Sequence, residues 1–401
     1  MDSQSLTSHS QALILAGGRG TRLGDKTAFV PKPMMDVAGR PFIDYLIRNL
    51  IRHGIRDIVL STGYLSNAIS DYIGTGVQYG ARIRHVTEDI PLGTGGAVKN
   101  CESILNDQFF VLNGDTLFDI NFAALDSLST NAVALRHIGD ASRYGAVEVD
   151  GNLVTKFNEK GKSGPGLISG GILRLNKEAL DLLPDGPSSL ESDLLPTLVS
   201  KEQLAGLPAA GYFIDIGLPE TLELAQEEIP DWERKPIAFL DRDGVLNEDH
   251  GYVHRIEDFD WIKDAKEAVR RLNETGYHVV VVTNQAGIAR GYYAEEDFAH
   301  LTAWMQSELW TVGAHIDKVN YCPFHPDGVV GKYSKASNDR KPNPGMLEKT
   351  FRSLPHKKPG SFMIGDADKD EEAAQKAGVA FHRYSSGSLL SLVEKILDQT
   401  C

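Results

Sequence analysis

Cysteine is scarce in this 401-residue chain, with Cys101, Cys322 and Cys401 far apart and odd in number. That excludes a disulfide-stapled scaffold and points to a reducing, cytoplasmic setting. No apolar run approaches the ~20 residues that span a bilayer. The first ten residues are polar and lack a basic stretch, so no secretory leader is expected, only a disordered lead-in. An excess of cations is missing too. The formal net charge of −14 argues against general affinity for nucleic acid or anionic membrane. Any phosphates bound should therefore belong to small molecules and be held by local cations. Homo-oligomer formation stays open. The length supports two or three domains, each able to bury its own core.

Two familiar phosphate loops are absent as well. After Gly17, Arg22 and Leu23 stand near the place where a Walker loop would carry Gly-Lys-Ser/Thr. After Gly18 and Gly20, Leu23 occupies the position of the third glycine of the dinucleotide fingerprint. What is present is a short apolar run, Leu13 to Leu15, opening into Gly17, Gly18 and Gly20. A strand that ends in glycines brings backbone N–H groups close to a guest, because no Cβ intervenes. Arg19, Arg22, Lys26 and Lys32 surround that loop with cations, which suits a polyanion such as a nucleoside triphosphate.

The run LAGGRGTRL followed by PKP resembles the signature of the sugar-1-phosphate nucleotidyltransferases, within them most nearly the heptose 1-phosphate guanylyltransferases. Thr21 belongs to the same run. Downstream, helical spacing in Pro41 to His53 and strand-like runs at DIVLST, ARIRHVTE and FFVLNGD alternate, the pattern of a parallel sheet covered on both faces. The resemblance implies a Rossmann-like, GT-A-like α/β domain over residues 11–229. It implies that Gly93 and Gly95 of LGTGGAV lie beside the nucleotide, and that Asp115 and Asp215, each just past an apolar run, share a Mg²⁺ ion. It places Glu159, Lys160 and Gly171 at the sugar phosphate, with Ser169 standing where the family more often has Asn. Arg22 and Lys32 are the cations expected on the triphosphate and the leaving pyrophosphate.

A proline-bounded, charged segment at 230–236 reads as a linker, after a helix closing near Ile229. A second domain is expected over 237–401. Its strand Ile237 to Leu240 ends in Asp241-Arg242-Asp243-Gly244, and two acids this close need a cation or a chemical task. With YHVVVVT ending at Thr283, RKPNPGM around Lys341, and SFMIGDADKD carrying Asp366 and Asp370, the order resembles the haloacid-dehalogenase phosphatase superfamily. That implies an α/β Rossmannoid domain without a large cap. It implies Asp241 as nucleophile, Asp243 as acid and base, Thr283 and Asn284 at the phosphoryl group, and Lys341 as its neutralising cation. Mg²⁺ would be held by the Asp241 and Asp366 side chains and the Asp243 main-chain carbonyl, with Asp370 as an outer partner or additional ligand.

TNQAGIARGYY, CPFHPDG and RKPNPGM narrow the resemblance to the heptose 1,7-bisphosphate 7-phosphatase and histidinol-phosphatase branch, with Arg340 suited to a second phosphate. Relatives there often carry a zinc loop. Here Cys322 stays, but Phe324, Ser337 and Asp339 stand at ligand positions, so zinc is not expected. The expected whole is a bifunctional enzyme of GDP-heptose synthesis, a precursor of lipopolysaccharide or S-layer glycan. The open alternatives are the same chemistries on another sugar, such as mannose 1-phosphate, or on another nucleotide, and a half that only binds or assembles.

Overall fold

The computed structural model describes residues 10–18, 20, 29–158, 161 and 163–400. Two compact units meet between Asp231 and Trp232. In the first, the strands are β1 (Gln11–Ala16), β2 (Asp36–Val37), β3 (Arg40–Pro41), β4 (Asp57–Thr62), β5 (Arg82–Thr87), β6 (Gln108–Asn113) and β7 (Thr116–Phe118). They continue as β8 (Asn131–Ile138), β9 (Val147–Asp150), β10 (Leu153–Phe157), β11 (Gly166–Asn176), β12 (Leu204–Ala209) and β13 (Phe213–Asp215). Nine of them form one sheet in the order β5-β4-β1-β6-β11-β8-β12-β10-β9.

β1 is central because both its faces are apolar: Leu13 and Ile14 are fully buried, as parallel strands covered by helices require. It pairs parallel with β4 and β6. The helix Phe42–Arg52 packs Ile43, Leu46, Ile47 and Leu50 inward and stops before Gly54, which takes a φ of 80°. The expected parallel pairing holds for β5, β4, β1 and β6, and again for β8 with β12. From β11 onward most pairings are antiparallel, beginning with β6 to β11 and β11 to β8. A tight turn at Gly151 (φ 56°) returns β9 onto β10, so no crossover helix is needed there.

The helix expected to close near Ile229 runs over Pro219–Glu233 with Pro230 inside it. Pro230 has no N–H to give the preceding turn, and the helix ends within three residues of it. In the second unit the strands are β14 (Ile237–Leu240), β15 (His278–Asn284), β16 (Lys318–Cys322), β17 (Phe362–Gly365) and β18 (Ala380–Arg383). All pair parallel, in the order β16-β15-β14-β17-β18. Leu240 stands level with both Val281 and Ile364, so the carboxyl ends of β14, β15 and β17 open at one edge. The helix Glu295–Trp310 buries Phe298, Leu301, Met305 and Leu309 along one face. Among the described residues no helix is long and apolar enough to cross a membrane.

Candidate active sites

In the first unit the register brings the loops after β1 and β6 together, and Gly114 N–H donates to Leu15 O at 2.9 Å. They border a cavity of about 680 Å³ whose lining includes Gly17, Gly18, Gly20, Lys32, Gly93 and Asp115. Gly17 has to be glycine: a Cβ there would lie 2.9 Å from Glu88 Oε1. Glu88 is itself fixed, accepting from Ser61 Oγ at 3.3 Å and from Leu92 N–H at 3.0 Å.

Antiparallel pairing of β13 with β7 sets Asp215 opposite Thr116, and Ile216 N–H donates to Asp115 O at 3.0 Å. The two acids expected to share a metal are therefore neighbours. Lys32 forms an ion pair with Asp115, and Arg143 Nη2 lies 3.5 Å from Asp215 Oδ2. Burial, then the Asp115 charge, pushes the Asp215 carboxyl above its ordinary value, against Lys32, the Gly217 N–H and Arg143. Two neighbouring hard oxygen donors are the kind of set that would hold a magnesium ion.

Gly171, expected at the sugar, sits at a register shift of β11 with a φ of 75°, and a Cβ there would stand 3.0 Å from Asn113 Nδ2. Asn113 lines the cavity. Gly95 does not fit its expected place at the nucleotide. Its N–H donates to Ser188 O at 2.9 Å, and a Cβ would lie 2.7 Å from Ser188 Oγ. Gly95 is glycine because the chain around Ser188 packs against the helix Gly93–Asn100. Thr21, Arg22, Glu159 and Lys160 lie outside the described residues. Glu88, Arg143 and Glu191, which takes a 2.8 Å hydrogen bond from Thr94 Oγ1, were missed from sequence because isolated charged residues carry no motif.

In the second unit Asp241, Asp366 and Asp370 bring carboxylate oxygens within 4.8 Å of one another. Among the described residues this is the one group of three or more acid, His or Cys side chains so placed. Lys341 Nζ lies 2.7 Å from Asp241 Oδ2 and 2.7 Å from Asp370 Oδ1, with its side chain fully buried. Burial raises the Asp241 carboxyl above its ordinary value, opposed by Lys341 and reinforced by Asp370. Asp366 is raised by burial and then by Asp370. Burial alone would lower Lys341, but Asp241 and Asp370 outweigh it and hold the ammonium up. Three acids against one buried ammonium leave negative charge unmatched, and Asp366 Oδ1 is buried with no hydrogen-bond partner. That donor set fits a magnesium ion. Gly244 makes room for it: its φ is 88°, and a Cβ would come within 2.4 Å of Asp366 Oδ2.

Asp243 was expected to reach the metal through its main-chain carbonyl, and its side chain is held apart from the three acids by Arg242, Asn247 and Gln285. The Asn284 side chain donates to Lys341 O at 3.0 Å and accepts from Lys341 N–H at 3.1 Å. It holds the lysine loop on β15. Thr283, buried at the tip of β15, accepts from Gln285 Nε2 at 2.8 Å.

Arg340 Nη1 and Arg290 Nε are buried with no hydrogen-bond partner. Burial first, and then the Arg290 charge among its neighbours, pulls the Arg340 guanidinium below its ordinary value. Two under-solvated guanidiniums at one corner favour an anion between them. Arg290 was missed because it lies in the TNQAGIARGYY run with no chemistry of its own.

The zinc donor set does not fit. Cys322 is buried in an apolar cluster with Met346 and Leu347. His325 Nδ1 accepts from Asp327 N–H at 3.1 Å, and its Nε2 faces Arg290 Nη2 at 3.5 Å.

Comparison with known proteins places both halves. A family model described as nucleotidyl transferase matches residues 11–231. A D-glycero-beta-D-manno-heptose-1,7-bisphosphate 7-phosphatase of Rhodopseudomonas palustris is 42% identical over 41% of this chain and 91% of its own length. The chain belongs to the nucleotidyl transferase family and, through its second unit, to that of the heptose-bisphosphate 7-phosphatases. A D-glycero-alpha-D-manno-heptose-1,7-bisphosphate 7-phosphatase of Photorhabdus laumondii is 40% identical over 36% of the chain and 78% of its own. A second family model, polynucleotide kinase 3 phosphatase, matches residues 236–382 of the phosphatase unit. The transferase unit is similar to the crystal structure of HddC from Yersinia pseudotuberculosis complexed with GMP-PN. The match has a TM-score of 0.50 and 33% identity, over 55% of this chain and 99% of that one. The chain thus combines a nucleotidyltransferase with a phosphatase.

Proposed function

We propose that the chain makes GDP-heptose in two steps. The phosphatase unit removes the 7-phosphate of D-glycero-D-manno-heptose 1,7-bisphosphate, and the transferase unit joins the resulting heptose 1-phosphate to GMP from GTP. The observation that carries this reading is the presence, in one chain, of the relatives of two enzymes whose substrate and product connect.

In the phosphatase unit, on the haloacid-dehalogenase pattern, an Asp241 oxygen attacks phosphorus while Asp243 gives its proton to the departing C7 oxygen. Asp243 then takes a proton from the water that releases inorganic phosphate. Thr283 and Lys341 bind the phosphoryl oxygens, and Arg340 with Arg290 receives the 1-phosphate. In the transferase unit a heptose 1-phosphate oxygen attacks the α-phosphorus of GTP and pyrophosphate leaves. Lys32, and Arg22 by family resemblance, offset the charge of two anions brought in line, with Gly17, Gly18 and Gly20 at the triphosphate. Magnesium, held by Asp115 and Asp215 in one unit and by Asp241, Asp366 and Asp370 in the other, supplies positive charge at the phosphates.

Incubation with the bisphosphate, GTP and Mg²⁺ should yield GDP-heptose, inorganic phosphate and pyrophosphate. The α anomer is expected, as in the GDP-linked route, and the alpha-bisphosphatase relative supports it. Supplying both anomers separately, by NMR of the products, decides between them, since a beta-bisphosphatase is equally similar. Phosphate release with no GDP-sugar from either anomer contradicts the transferase half.

A further inference from the structure

The phosphatase unit holds a buried amide that none of the proposed chemical steps uses. Gln285, 2% exposed, follows Thr283 by two residues, and its own N–H is fixed on Cys322 O at 2.9 Å. Its Nε2 donates to Asp243 Oδ2 at 3.1 Å and to Thr283 Oγ1 at 2.8 Å. Its Oε1 accepts from Tyr293 Oη at 2.6 Å and faces Arg242 Nη2 at 3.5 Å. Chemistry fixes which way round the amide sits, because a guanidinium can only donate and so must face Oε1. All four of the amide's hydrogen-bonding positions are therefore occupied, two of them by groups that meet the phosphoryl centre.

The frame extends outward. Tyr293 stacks on His254 with centroids 4.6 Å apart and planes 6° apart, and Arg242 Nη2 donates to Val253 O at 2.6 Å. Asp243 is thus gripped on two sides. Oδ1 accepts from Arg242 Nε at 3.1 Å, Arg242 Nη2 at 2.8 Å and Asn247 Nδ2 at 3.2 Å. Oδ2 accepts from Arg242 Nη2 at 3.0 Å and from Gln285, which leaves Oδ2 the less occupied oxygen. Among the described residues nothing accepts the Thr283 hydroxyl proton, so with Gln285 donating to that oxygen the proton is left for a phosphoryl oxygen.

We infer that Gln285, locked by Tyr293, is the positioning residue for the general acid, setting the direction from which Asp243 Oδ2 presents its proton to the leaving alcohol. This rests on the phosphatase reading above. A carboxyl turned out of line protonates an alcohol poorly but matters little to a leaving group that departs without a proton.

The test compares Gln285→Leu and Tyr293→Phe with the unaltered full chain on two esters, the heptose bisphosphate and 4-nitrophenyl phosphate. The readout is kcat/KM, which reports only the steps through phosphoenzyme formation. For Gln285→Leu, kcat/KM on the bisphosphate should fall about a hundredfold and on the aryl ester less than about tenfold. Tyr293→Phe, which keeps the buried ring and loses one hydroxyl, should show the same bias at a smaller size. Equal losses on both esters, or no loss on either, overturn the inference while leaving the phosphatase reading intact. An unaltered chain that cleaves neither ester overturns both.

Discussion

Asp115→Ala lowers nucleotidyl transfer by on the order of a thousandfold or more and leaves phosphate release from the bisphosphate within about twofold of the unaltered chain. The expectation follows from the pairing of β13 with β7, which makes Asp115 the immediate neighbour of Asp215 at the edge of the cavity. Removing one carboxylate leaves Lys32 without its partner and the remaining acid unable to hold a divalent cation on its own. The ammonium freed in this way does not compensate, since it cannot bridge protein and phosphate as a metal does. Pyrophosphate release from heptose 1-phosphate and GTP measures the loss, and phosphate release from the bisphosphate serves as the internal control. Simultaneous loss of both activities would mean that the units do not work independently.

Asp241→Asn has the converse effect. Phosphate release falls by on the order of a thousandfold or more, because an amide oxygen does not form the acyl phosphate that the reaction passes through. The substitution keeps the shape of the side chain and removes one of the two acids beside Lys341, which retains Asp370 at 2.7 Å. The fold of the unit should survive, and the transferase should act on supplied heptose 1-phosphate at an undiminished rate. Detection of a trapped phosphoenzyme in the unaltered chain and its absence in Asp241→Asn gives the measurement a second readout.

Much of both sites was legible in the sequence because each is written at a strand tip. A buried apolar run followed at once by glycines or acids marks where a parallel sheet opens, and β1, β6, β14 and β17 all end that way, while β15 carries the Thr283 hydroxyl at its tip. Relations that depend on distant packing were not legible. Gly95 stands in a glycine cluster that suits a nucleotide, yet it is the chain around Ser188 that leaves no space for a Cβ. Asn284 sits beside Thr283, and no spacing in the sequence signals that its side chain bonds the main chain of Lys341. Arg242 is 2% exposed between two acids and Gln285 lies two residues after a threonine; neither carries a spacing that announces its partners. The antiparallel part of the first sheet escaped because β8, β9, β10 and β11 follow one another with no helix between them to signal a change of strand.

The central claim is that the two units handle the same sugar in turn, and the Asp115→Ala and Asp241→Asn chains test it most directly when mixed. Given the heptose bisphosphate, GTP and Mg²⁺, neither variant alone should form GDP-heptose, whereas the mixture should form it as one chain releases the heptose 1-phosphate that the other consumes. A mixture that releases phosphate yet forms no GDP-sugar, while its Asp241→Asn component still transfers GMP to another sugar 1-phosphate, would contradict the account.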